Sequence, residues 1–351
     1  MKKTLLILIL LSSSLPLRSR GTDSLSVVFW NVENFFDWKS EGPGMPDYEF
    51  SAAGRRHWTK RRFYAKCNAI AKTLLRISEG LGRFPDAVCF AEVENAFVVR
   101  QLTSATVLRK LDYKVVHYES PDRRGIDCAL IYRASRLHKV SSAPKHVYDS
   151  LGAVMKTRDI LLCEFRTSAG PLAILVNHHP SKVGGGKQSR REAAMGRMTQ
   201  LCDSLEAAGC RRILCVGDFN DDLWHSPEAQ GTIKYNGVWE KIDGYFARGL
   251  PAVREFVHAD PLLTVPDAGF GGTKPLRTYS GPRYLGGVSD HCPIVEVFAD
   301  VTECEKNIIF VVLRQIKQSH NYAKQDSRQI CLPLRRRRRV FCFCRTHQPY
   351  R

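Results

Sequence analysis

Carboxylate, carboxamide and imidazole side chains occur directly after short apolar runs at several places in this 351-residue chain. A polar residue after one such run is usually only a turn or a helix cap, but a repeated pattern indicates strands that deliver catalytic groups to one rigid site. The runs with their polar followers are SVVFW with Asn31 and Glu33; AVCFA with Glu92; LAILV with Asn177, His178 and His179; and RILCV with Asp218 and Asn220, while Asp290 and His291 precede the run PIVEVF.

The oxygen-rich set Asn31, Glu92 and Asp290 suits a hard divalent cation. Mg²⁺ or Mn²⁺ takes a few carboxylates and completes its coordination with water and with substrate phosphate oxygens. The chain contains no GxSxG motif and no glycine-rich phosphate loop after its first strand. These absences disfavour a serine hydrolase and a nucleotide-binding loop, and the set predicts a metal site.

The segments that must position these groups alternate between strand and helix patterns. Two amphipathic helices are predicted, one through Phe63, Cys67, Ile70, Leu74 and Ile77 and one through Ala194, Met198, Leu201 and Leu205. Several strands follow one another without a helix between them, which favours mixed or antiparallel sheets with helices outside, in a single large domain. The predicted strands are Leu25–Trp30, Ala87–Ala91, Tyr113–Tyr118, Ile126–Tyr132, Ile160–Arg166, Leu172–Asn177, Arg212–Gly217 and Ile294–Phe298.

Composition excludes two broad classes of protein. Hydrophobic residues make up 44% and charged residues 25% of the chain, which is inconsistent with wholesale disorder and with a polytopic membrane protein. The net charge of +18 suggests a polyanionic partner or an anionic membrane surface. Residues 301–351 alone hold 12 Lys and Arg against 3 Asp and Glu, so half of that excess lies in a basic tail.

The ordered motifs WNVEN, AEVEN, RGIDCALIY, VNHHPSK, GDFND and YLGGVSDHCPI together resemble the endonuclease/exonuclease/phosphatase superfamily, as a secreted bacterial member. That superfamily includes deoxyribonuclease I, repair endonucleases, inositol-polyphosphate 5-phosphatases and neutral sphingomyelinases. The resemblance implies an α/β (α+β) four-layer αββα sandwich, in which two mixed, mainly antiparallel sheets are flanked by helices. It also implies hydrolysis of phosphoester bonds with a divalent metal, Mg²⁺ or Mn²⁺.

The resemblance also implies roles for individual residues. Asn31, Glu92 and Asp290 match the metal-site residues of the family, and Glu33 stands at a metal-proximal position that varies among its members. The remaining roles are catalytic: Asp218 orients or deprotonates the attacking water, Asn220 binds the phosphoryl oxygens, and His291, paired with a carboxylate, stabilises or protonates the phosphorane.

Two positions within the motifs are ambiguous in the sequence. The family carries one imidazole where this chain has His178 and His179, and the residue directly after Asn177 is favoured. Asp127 is either an orienting residue near the phosphate or a strand-edge Asp that bonds the backbone. The loop that holds Lys182, Gly184–Gly186 and Lys187 either grips a phosphodiester or is a solvated connection.

Substrate and partners follow less directly from the sequence. A nuclease, specifically an endonuclease acting on nucleic acid, ranks first, and a phosphatase or a sphingomyelinase or phospholipase-type phosphodiesterase ranks second. The charge that remains on the catalytic body, without the leader and the tail, is only mildly basic for a nucleic-acid enzyme. Four tryptophans in loop-like segments either stack bases, contact lipid or anchor loops: Trp38, Trp58, Trp224 and Trp239. No stable protein partner is predicted, and the chain is expected to be a monomer.

The ends of the chain predict export and a tail outside the fold. Lys2 and Lys3 precede the apolar run Leu5–Leu11, so residues 1–20 are interpreted as a signal peptide and the protein as periplasmic, outer-surface or secreted. Residues 22–300 are the predicted catalytic domain, and residues 301–351 are predicted to be a disordered or non-native tail.

Export would permit disulfides, but most cysteines do not look like a disulfide framework. Cys89, Cys128, Cys163 and Cys215 lie inside apolar runs, where a free cysteine behaves as a small core residue. Cys202 and Cys210 form the one pairing close in sequence that merits a test.

Overall fold

Two β-sheets stack face to face and carry helices on their outer faces. The computed structural model describes residues 24–40, 42–45, 47–182, 188–221 and 230–299. By its contacts the chain divides after Val301, and every described residue belongs to the first unit. The predicted signal peptide, the predicted tail, Trp224 and the triple glycine with Lys187 lie outside the described residues.

The six-stranded sheet has the order β12-β17-β1-β2-β4-β3. All neighbours in it run antiparallel except β1 and β2, which are parallel. Its strands are β1 (Ser24–Phe35), β2 (Ala87–Val93), β3 (Tyr113–His117), β4 (Asp127–Arg133), β12 (Ala252–Val257) and β17 (Ile294–Ala299).

The five-stranded sheet has the order β11-β8-β7-β6-β5, and only β7 and β8 are parallel. Its strands are β5 (His138–Lys145), β6 (Ile160–Thr167), β7 (Gly170–His178), β8 (Ile213–Asp218) and β11 (Asp243–Arg248). Three small hairpins complete the described strands: β9 (Ile233–Tyr235) with β10 (Val238–Glu240), β13 (Thr264–Pro266) with β14 (Thr273–Pro275), and β15 (Tyr279–Ser280) with β16 (Arg283–Tyr284).

Three helices cover the outer faces of the sheets: α1 (Lys60–Leu81), α2 (Ala96–Ser104) and α3 (Gln188–Ala207). Thr59 caps the start of α1, and Gly82 in the left-handed conformation ends it. Short 3₁₀ turns occupy Tyr48–Phe50 and Val107–Lys110. Among the described residues, none of the helices combines the length and the apolar character needed to cross a membrane.

The buried side chains form three layers of core, which is what four layers of secondary structure require. One core lies under α1 and α2 on the six-stranded sheet, with Phe63, Ile70 and Leu74 at its centre. A second fills the space between the sheets, and a third lies between α3 and the five-stranded sheet. The expected four-layer αββα arrangement of two mainly antiparallel sheets is confirmed.

The predicted elements all appear, and the sequence missed several others. Each predicted strand lies within two residues of an observed strand at both ends, except that β1 continues to Phe35. The missed elements include α2, whose nine residues are too few for a clear helical period, and the edge strand β5, which carries exposed polar residues.

The tryptophans in the described residues act as anchors in the packed core. Trp58 is fully buried, with its indole N–H bonded to Phe36 O at 2.8 Å. Trp38 packs on the rings of Phe63 and Phe97, and Trp239 packs against the core between the sheets. The loop-anchor interpretation therefore holds for these three residues.

Candidate active site

A cleft of about 510 Å³ opens where strands of both sheets end. The parallel pair β1 and β2 and the parallel pair β7 and β8 each place two carboxyl ends at one edge, and the two edges face the same cleft. Eight of the nine predicted site residues line it: Asn31, Glu33, Glu92, His178, Asp218, Asn220, Asp290 and His291.

Several residues at the strand exits adopt the left-handed backbone conformation, which is rare for residues other than glycine. Glu33, Asn34, Glu92 and Asn220 have φ between 45° and 62°, and all four line the cleft. They are four of the seven non-glycine residues with left-handed backbone in the described part of the chain. Such strain persists where the surrounding structure fixes it, and it concentrates at functional sites.

A close approach of β7 and β8 explains the glycine that precedes Asp218. A Cβ atom at Gly217 would lie only 2.3 Å from the carbonyl oxygen of Asn177. Only glycine therefore allows the register in which His178 and Asp218 are direct neighbours on the two parallel strands.

Asp218 lies at the centre of the cleft and is almost completely buried. Its Oδ2 accepts a hydrogen bond from Asn31 Nδ2 at 3.0 Å, and its Oδ1 accepts one from the backbone N–H of Asn220 at 2.9 Å. Burial and the nearby carboxylate of Asp243 raise the pKa of Asp218 to about 7, against the opposing effects of His291 and these hydrogen bonds. A carboxylate with this pKa is suited to accept a proton near neutral pH.

His291 is held by a carboxylate that sequence reasoning did not identify. Its Nδ1 lies 2.8 Å from Oδ2 of Asp243, the first residue of β11, and its Nε2 lies 3.9 Å from Oδ2 of Asp218. Burial alone would lower the pKa of His291, but Asp243, Asp290 and Asp218 raise it well above its usual value. The imidazole is therefore a cation with its Nε2 edge turned towards the reacting groups.

His178 and His179 occupy different environments, which separates the two imidazoles of the HH pair. His178 lines the cleft with Nε2 at 3.7 Å from Asp218 Oδ2, whereas His179 packs edge-on against Phe219. Burial, reinforced by Arg158, lowers the pKa of His178 well below its usual value and that of His179 to about 3. Both imidazoles are neutral, and only His178 faces the cleft.

Arg158 fixes the turn that carries this pair. It is buried, and it donates to His178 O at 3.2 Å and to His179 O at 2.5 Å. Its remaining nitrogen pairs with Asp122 at 3.2 Å. Asn220 also donates to His179 O, at 3.0 Å, so the β7 and β8 exits are tied together.

Asn31 links the exits of the two sheets. Its side-chain nitrogen bonds Asp218, while its side-chain oxygen accepts the backbone N–H of Glu33 at 3.0 Å. Ser289 donates its hydroxyl to the Asn31 backbone oxygen at 2.6 Å, and the Trp30 indole donates to His291 O at 2.8 Å. The SDH segment is thereby fixed against β1.

Glu33 and Asp290 share one guanidinium. The Nη2 atom of Arg277 lies 3.1 Å from Glu33 Oε1 and 3.0 Å from Asp290 Oδ2. The other oxygen of Glu33 accepts the Thr278 N–H at 2.9 Å, and buried Lys66 donates to Glu33 O. Burial and the neighbouring Asp290 raise the pKa of Glu33 to about 7, and burial lowers that of Lys66 to about 8.

Glu92 pairs with a second guanidinium at the opposite wall. Arg124 lies 3.3 Å from Glu92 Oε2 and donates to Asn34 Oδ1 at 2.7 Å. Glu92 also accepts the backbone N–H of Asn34 at 2.7 Å. The carboxylates of Glu92 and Asp290 therefore each face a cationic group inside the cleft.

The donor set fits a divalent cation. Glu92, Asp290 and Asn31 offer oxygen atoms, which are the ligands that Mg²⁺ and Mn²⁺ prefer. Glu92 and Asp290 each pair with a guanidinium group, so both carboxylates face a position that is favourable to positive charge. Among the described residues, one cluster of His and carboxylate side chains in this cleft has its ligand atoms within 4.8 Å of one another: Asp218, Asp243 and His291. This cluster does not include the predicted metal residues.

Asp127 is the predicted site residue that the structure does not bring to the cleft. Its Oδ1 accepts the backbone N–H of Ser120 at 3.0 Å and the Ser120 hydroxyl, and its Oδ2 faces His117 Nε2 at 3.3 Å. This environment agrees with the alternative of a strand-edge Asp that bonds the backbone.

Sequence reasoning missed Asp243, Arg158, Arg124, Arg277 and Lys66. Arg124 is the first residue of the motif RGIDCALIY and was the one most open to detection. Asp243 and Arg158 follow no long apolar run, and Lys66 is one cation among many on an amphipathic helix. Only the packing of distant segments reveals them.

The family model described as "Endonuclease/Exonuclease/phosphatase family" matches residues 26–246. No curated protein shows a significant sequence match to the chain.

Solved structures match the fold at low sequence identity. Truncated Caenorhabditis elegans TDP2 is 15% identical, with a TM-score of 0.50 over 79% of this chain and 98% of that chain. The human Nocturnin catalytic domain with bound sulfate is 17% identical, with a TM-score of 0.49 over 78% and 93% of the respective chains. D. rerio TDP2 with a single-strand DNA product is 14% identical, with a TM-score of 0.48 over 79% and 99%. At these identities the likeness concerns the fold alone.

Proposed function

The chain belongs to the endonuclease/exonuclease/phosphatase family, and from that premise we propose that it is a Mg²⁺- or Mn²⁺-dependent phosphodiesterase that cleaves nucleic acid, as an exported endonuclease. Hydrolysis of phosphoester bonds is the chemistry of the family. The metal, the substrate and the location are specific to this proposal.

The observation that carries the proposal is the row Asp218, His291 and Asp243. Asp218 has a pKa of about 7, and next to it stands an imidazolium held by a second buried carboxylate at 2.8 Å. The pKa of Asp218 is raised to about 7 and that of His291 well above its usual value, so near neutral pH the carboxylate can accept a proton while the imidazolium keeps its charge. Asp218 takes the proton of the attacking water, and His291 stabilises the charge that develops on the phosphoryl oxygens.

The other cleft residues bind and orient the substrate. Asn220 keeps one side-chain N–H for a phosphoryl oxygen after its bond to His179 O. Neutral His178 offers a hydrogen bond beside Asp218, and Arg124 and Arg277 supply positive charge on two sides of the cleft. When bound by Glu92, Asp290 and Asn31, the divalent metal neutralises negative charge on the phosphate and its leaving oxygen.

Features of the cleft rim support a nucleic-acid substrate. Tyr235 lines the cleft and is 64% exposed, so its ring is available to stack on a base. Lys182 lines the same cleft beside the HHPS turn. An aromatic surface close to cationic side chains is the usual composition of a single-strand binding surface.

A second pocket favours the alternative of a compact substrate, as in a phosphatase or sphingomyelinase-type enzyme. This pocket, of about 560 Å³, contains four acidic residues close to the Glu92 exit: Asp37, Asp47, Glu94 and Glu119. Burial raises the pKa of Glu94 to about 8, so the repulsion of a long polyanion that extends in that direction comes mainly from Asp37, Asp47 and Glu119. This observation therefore favours the phosphatase or sphingomyelinase-type enzyme as the second candidate function.

A substrate panel distinguishes the proposed nuclease from a phosphatase or sphingomyelinase-type enzyme. The purified protein is assayed with Mg²⁺ or Mn²⁺ against plasmid DNA, RNA, inositol polyphosphates, sphingomyelin and a generic phosphodiester, with Asp218→Asn and EDTA as controls for contaminating activity. Nicking of plasmid DNA or cleavage of RNA that both controls remove supports the proposal. Turnover of lipid or inositol phosphate without nuclease activity selects the alternative, and turnover of nothing in the panel overturns both.

A further inference from the structure

Two buried cysteines on different elements lie in direct contact outside the cleft. The Sγ atoms of Cys202 in α3 and Cys215 in β8 are 3.2 Å apart, and both residues are at least 96% buried. Unbonded heavy atoms pack at about 3.5–4.0 Å, so these sulfurs are closer than ordinary core neighbours. The contact differs from the pairing of Cys202 with Cys210, the one close in sequence that merited a test.

We propose that Cys202 and Cys215 form a disulfide that fastens α3 to β8. A disulfide needs a sulfur separation of about 2.05 Å, with Cβ atoms about 3.5–4.5 Å apart. The two Sγ atoms, 3.2 Å apart, lie only about 1.2 Å beyond that bond length. Cys210 is not an equivalent partner, because its Sγ points to Arg212 O at 3.5 Å.

The chemistry of the pair also favours its oxidation. The hydrogen bond from the Cys215 thiol lowers the pKa of Cys202, against burial, which raises it, whereas the pKa of Cys215 is raised. Cys202 is thus the nucleophile, since the thiolate is the reactive form. The other described thiols in the cores carry raised pKa values, as burial predicts for Cys67, Cys89, Cys128, Cys163 and Cys292.

The reaction balances with a small-molecule disulfide as oxidant. The Cys202 thiolate attacks one sulfur of oxidised glutathione, breaks its S–S bond and releases one glutathione thiolate. The Cys215 thiol then loses its proton and attacks Cys202 Sγ, which releases the second glutathione. Two protein thiols are oxidised, and one glutathione disulfide is reduced to two thiols.

The consequence of the bond concerns the strand that carries the catalytic base. Asp218 follows Cys215 by three residues on β8, and the outer face of that strand packs on α3. A bond across this core layer opposes the separation of α3 from β8 during unfolding. The inference does not depend on the proposed substrate, because it concerns stability and bond formation, not turnover.

Disulfide mapping of the full chain tests the inference. The protein is unfolded, refolded with oxidised and reduced glutathione, alkylated, and digested with trypsin and with a protease that cuts after Glu. Cleavage after Glu206 separates Cys202 from Cys210, so a linked peptide pair is assigned to one of them. A bond between Cys202 and Cys215 is expected, whereas alkylation of both thiols, or their linkage to any other cysteine, overturns the inference.

Thermal unfolding supplies the second readout. The oxidised chain should unfold about 5 °C higher than the dithiothreitol-treated chain, since a disulfide that closes a short loop constrains the unfolded state. Cys202→Ser and Cys215→Ser should lose this redox-dependent difference, and the matched control Cys210→Ser should keep it. An equal difference in all three variants would show that other thiols cause it and would overturn the inference.

Discussion

At the scale of single residues, the candidate site consists of side chains held by partners from distant parts of the sequence. Asp243 is the clearest case, because its carboxylate fixes the Nδ1 edge of His291 and is itself 1% exposed. A buried imidazolium without a counter-charge would be unstable. The function assigned to His291 therefore depends on a residue that makes no contact with the substrate in our proposal.

Asp243→Asn tests this dependence. The amide keeps the shape of the side chain but removes the charge that stabilises the imidazolium, so kcat should fall by about 10²- to 10⁴-fold with little change in KM. Steady-state kinetics measure both constants, and circular dichroism verifies the fold. Asp112→Asn, an exposed site paired with Lys114, is the matched control and should retain activity. A kcat for Asp243→Asn within about twofold of wild type would remove Asp243 from the mechanism.

Asp218→Asn should separate activity from stability. Hydrolysis should be lost, while in EDTA at pH 8 the melting temperature should rise by about 2–4 °C. The sign follows from the pKa of about 7 in the folded state against 3.8 in the unfolded state. The folded chain keeps a proton that the unfolded chain has released, so stability falls as pH rises through this window, and the neutral amide removes that loss.

Calorimetry at pH 5 and pH 8 compares the melting temperatures of Asp218→Asn and the wild-type chain. The gain in melting temperature of Asp218→Asn over wild type should be present at pH 8 and much smaller at pH 5, because at pH 5 the Asp218 carboxyl of the folded wild-type chain is still protonated. A variant that hydrolyses substrate at the wild-type rate, or that melts below wild type at pH 8, contradicts the assignment of a charged, buried base.

At the scale of elements, the strands could be predicted because their residues repeat a local pattern. The exits of β1, β2, β7 and β8 and the segment before β17 carry the polar residues that sequence motifs mark, so eight site positions could be predicted from the amino-acid order alone. Asp243 opens a short strand whose later residues are exposed, and Arg158 stands in a loop before β6. Nothing local distinguishes such residues, since their roles arise only when two sheets pack.

Strand β17 contains a buried carboxyl group that takes no part in the proposed chemistry. Glu296 is fully buried, and neither carboxylate oxygen has a hydrogen-bond partner among the described residues. Burial, reinforced by Glu255, raises its pKa to about 9, with Lys241 opposing. A protonated Glu296 in the folded state means that this residue destabilises the chain increasingly between pH 4.5 and about pH 9, because the unfolded state loses its proton first.

Glu296→Gln should therefore stabilise the fold at alkaline pH. At pH 8 the melting temperature should rise by about 3 °C or more, and at pH 5 the variant and wild type should melt within about 1 °C of each other. Differential scanning calorimetry at both pH values measures the change. Glu206→Gln, whose carboxylate is exposed and pairs with Arg248, serves as the control and should show no such gain. A pH-independent effect of Glu296→Gln would contradict a neutral Glu296.

At the scale of the whole molecule, the cleft exists only where the two sheets meet. Asn31, Glu92 and Asp290 come from or adjoin the six-stranded sheet, whereas His178 and Asp218 come from the five-stranded sheet. The bond from Asn31 to Asp218 crosses between them. The site therefore requires the complete sandwich, and β17, which pairs with both β1 and β12, is the last described strand of that sandwich.

Removal of residues 301–351 tests whether the sandwich is sufficient. The described fold ends with β17 at Ala299, and residues 301–351 carry a net charge of +9. A chain that ends at Asp300 should keep its kcat and melt within about 2 °C of the full chain. If the tail also gripped nucleic acid, its loss would weaken DNA binding and make the dependence of affinity on salt less steep.

We expect the same salt dependence for both chains, since Arg124, Arg277 and Lys182 in the cleft supply the phosphate contacts in our proposal. Binding of a fluorescent oligonucleotide to Asp218→Asn, measured between low and physiological salt with and without residues 301–351, decides the question. A steeper slope for the full chain would assign the tail a direct part in substrate binding, and loss of folding in the shortened chain would place part of the tail within the structural domain.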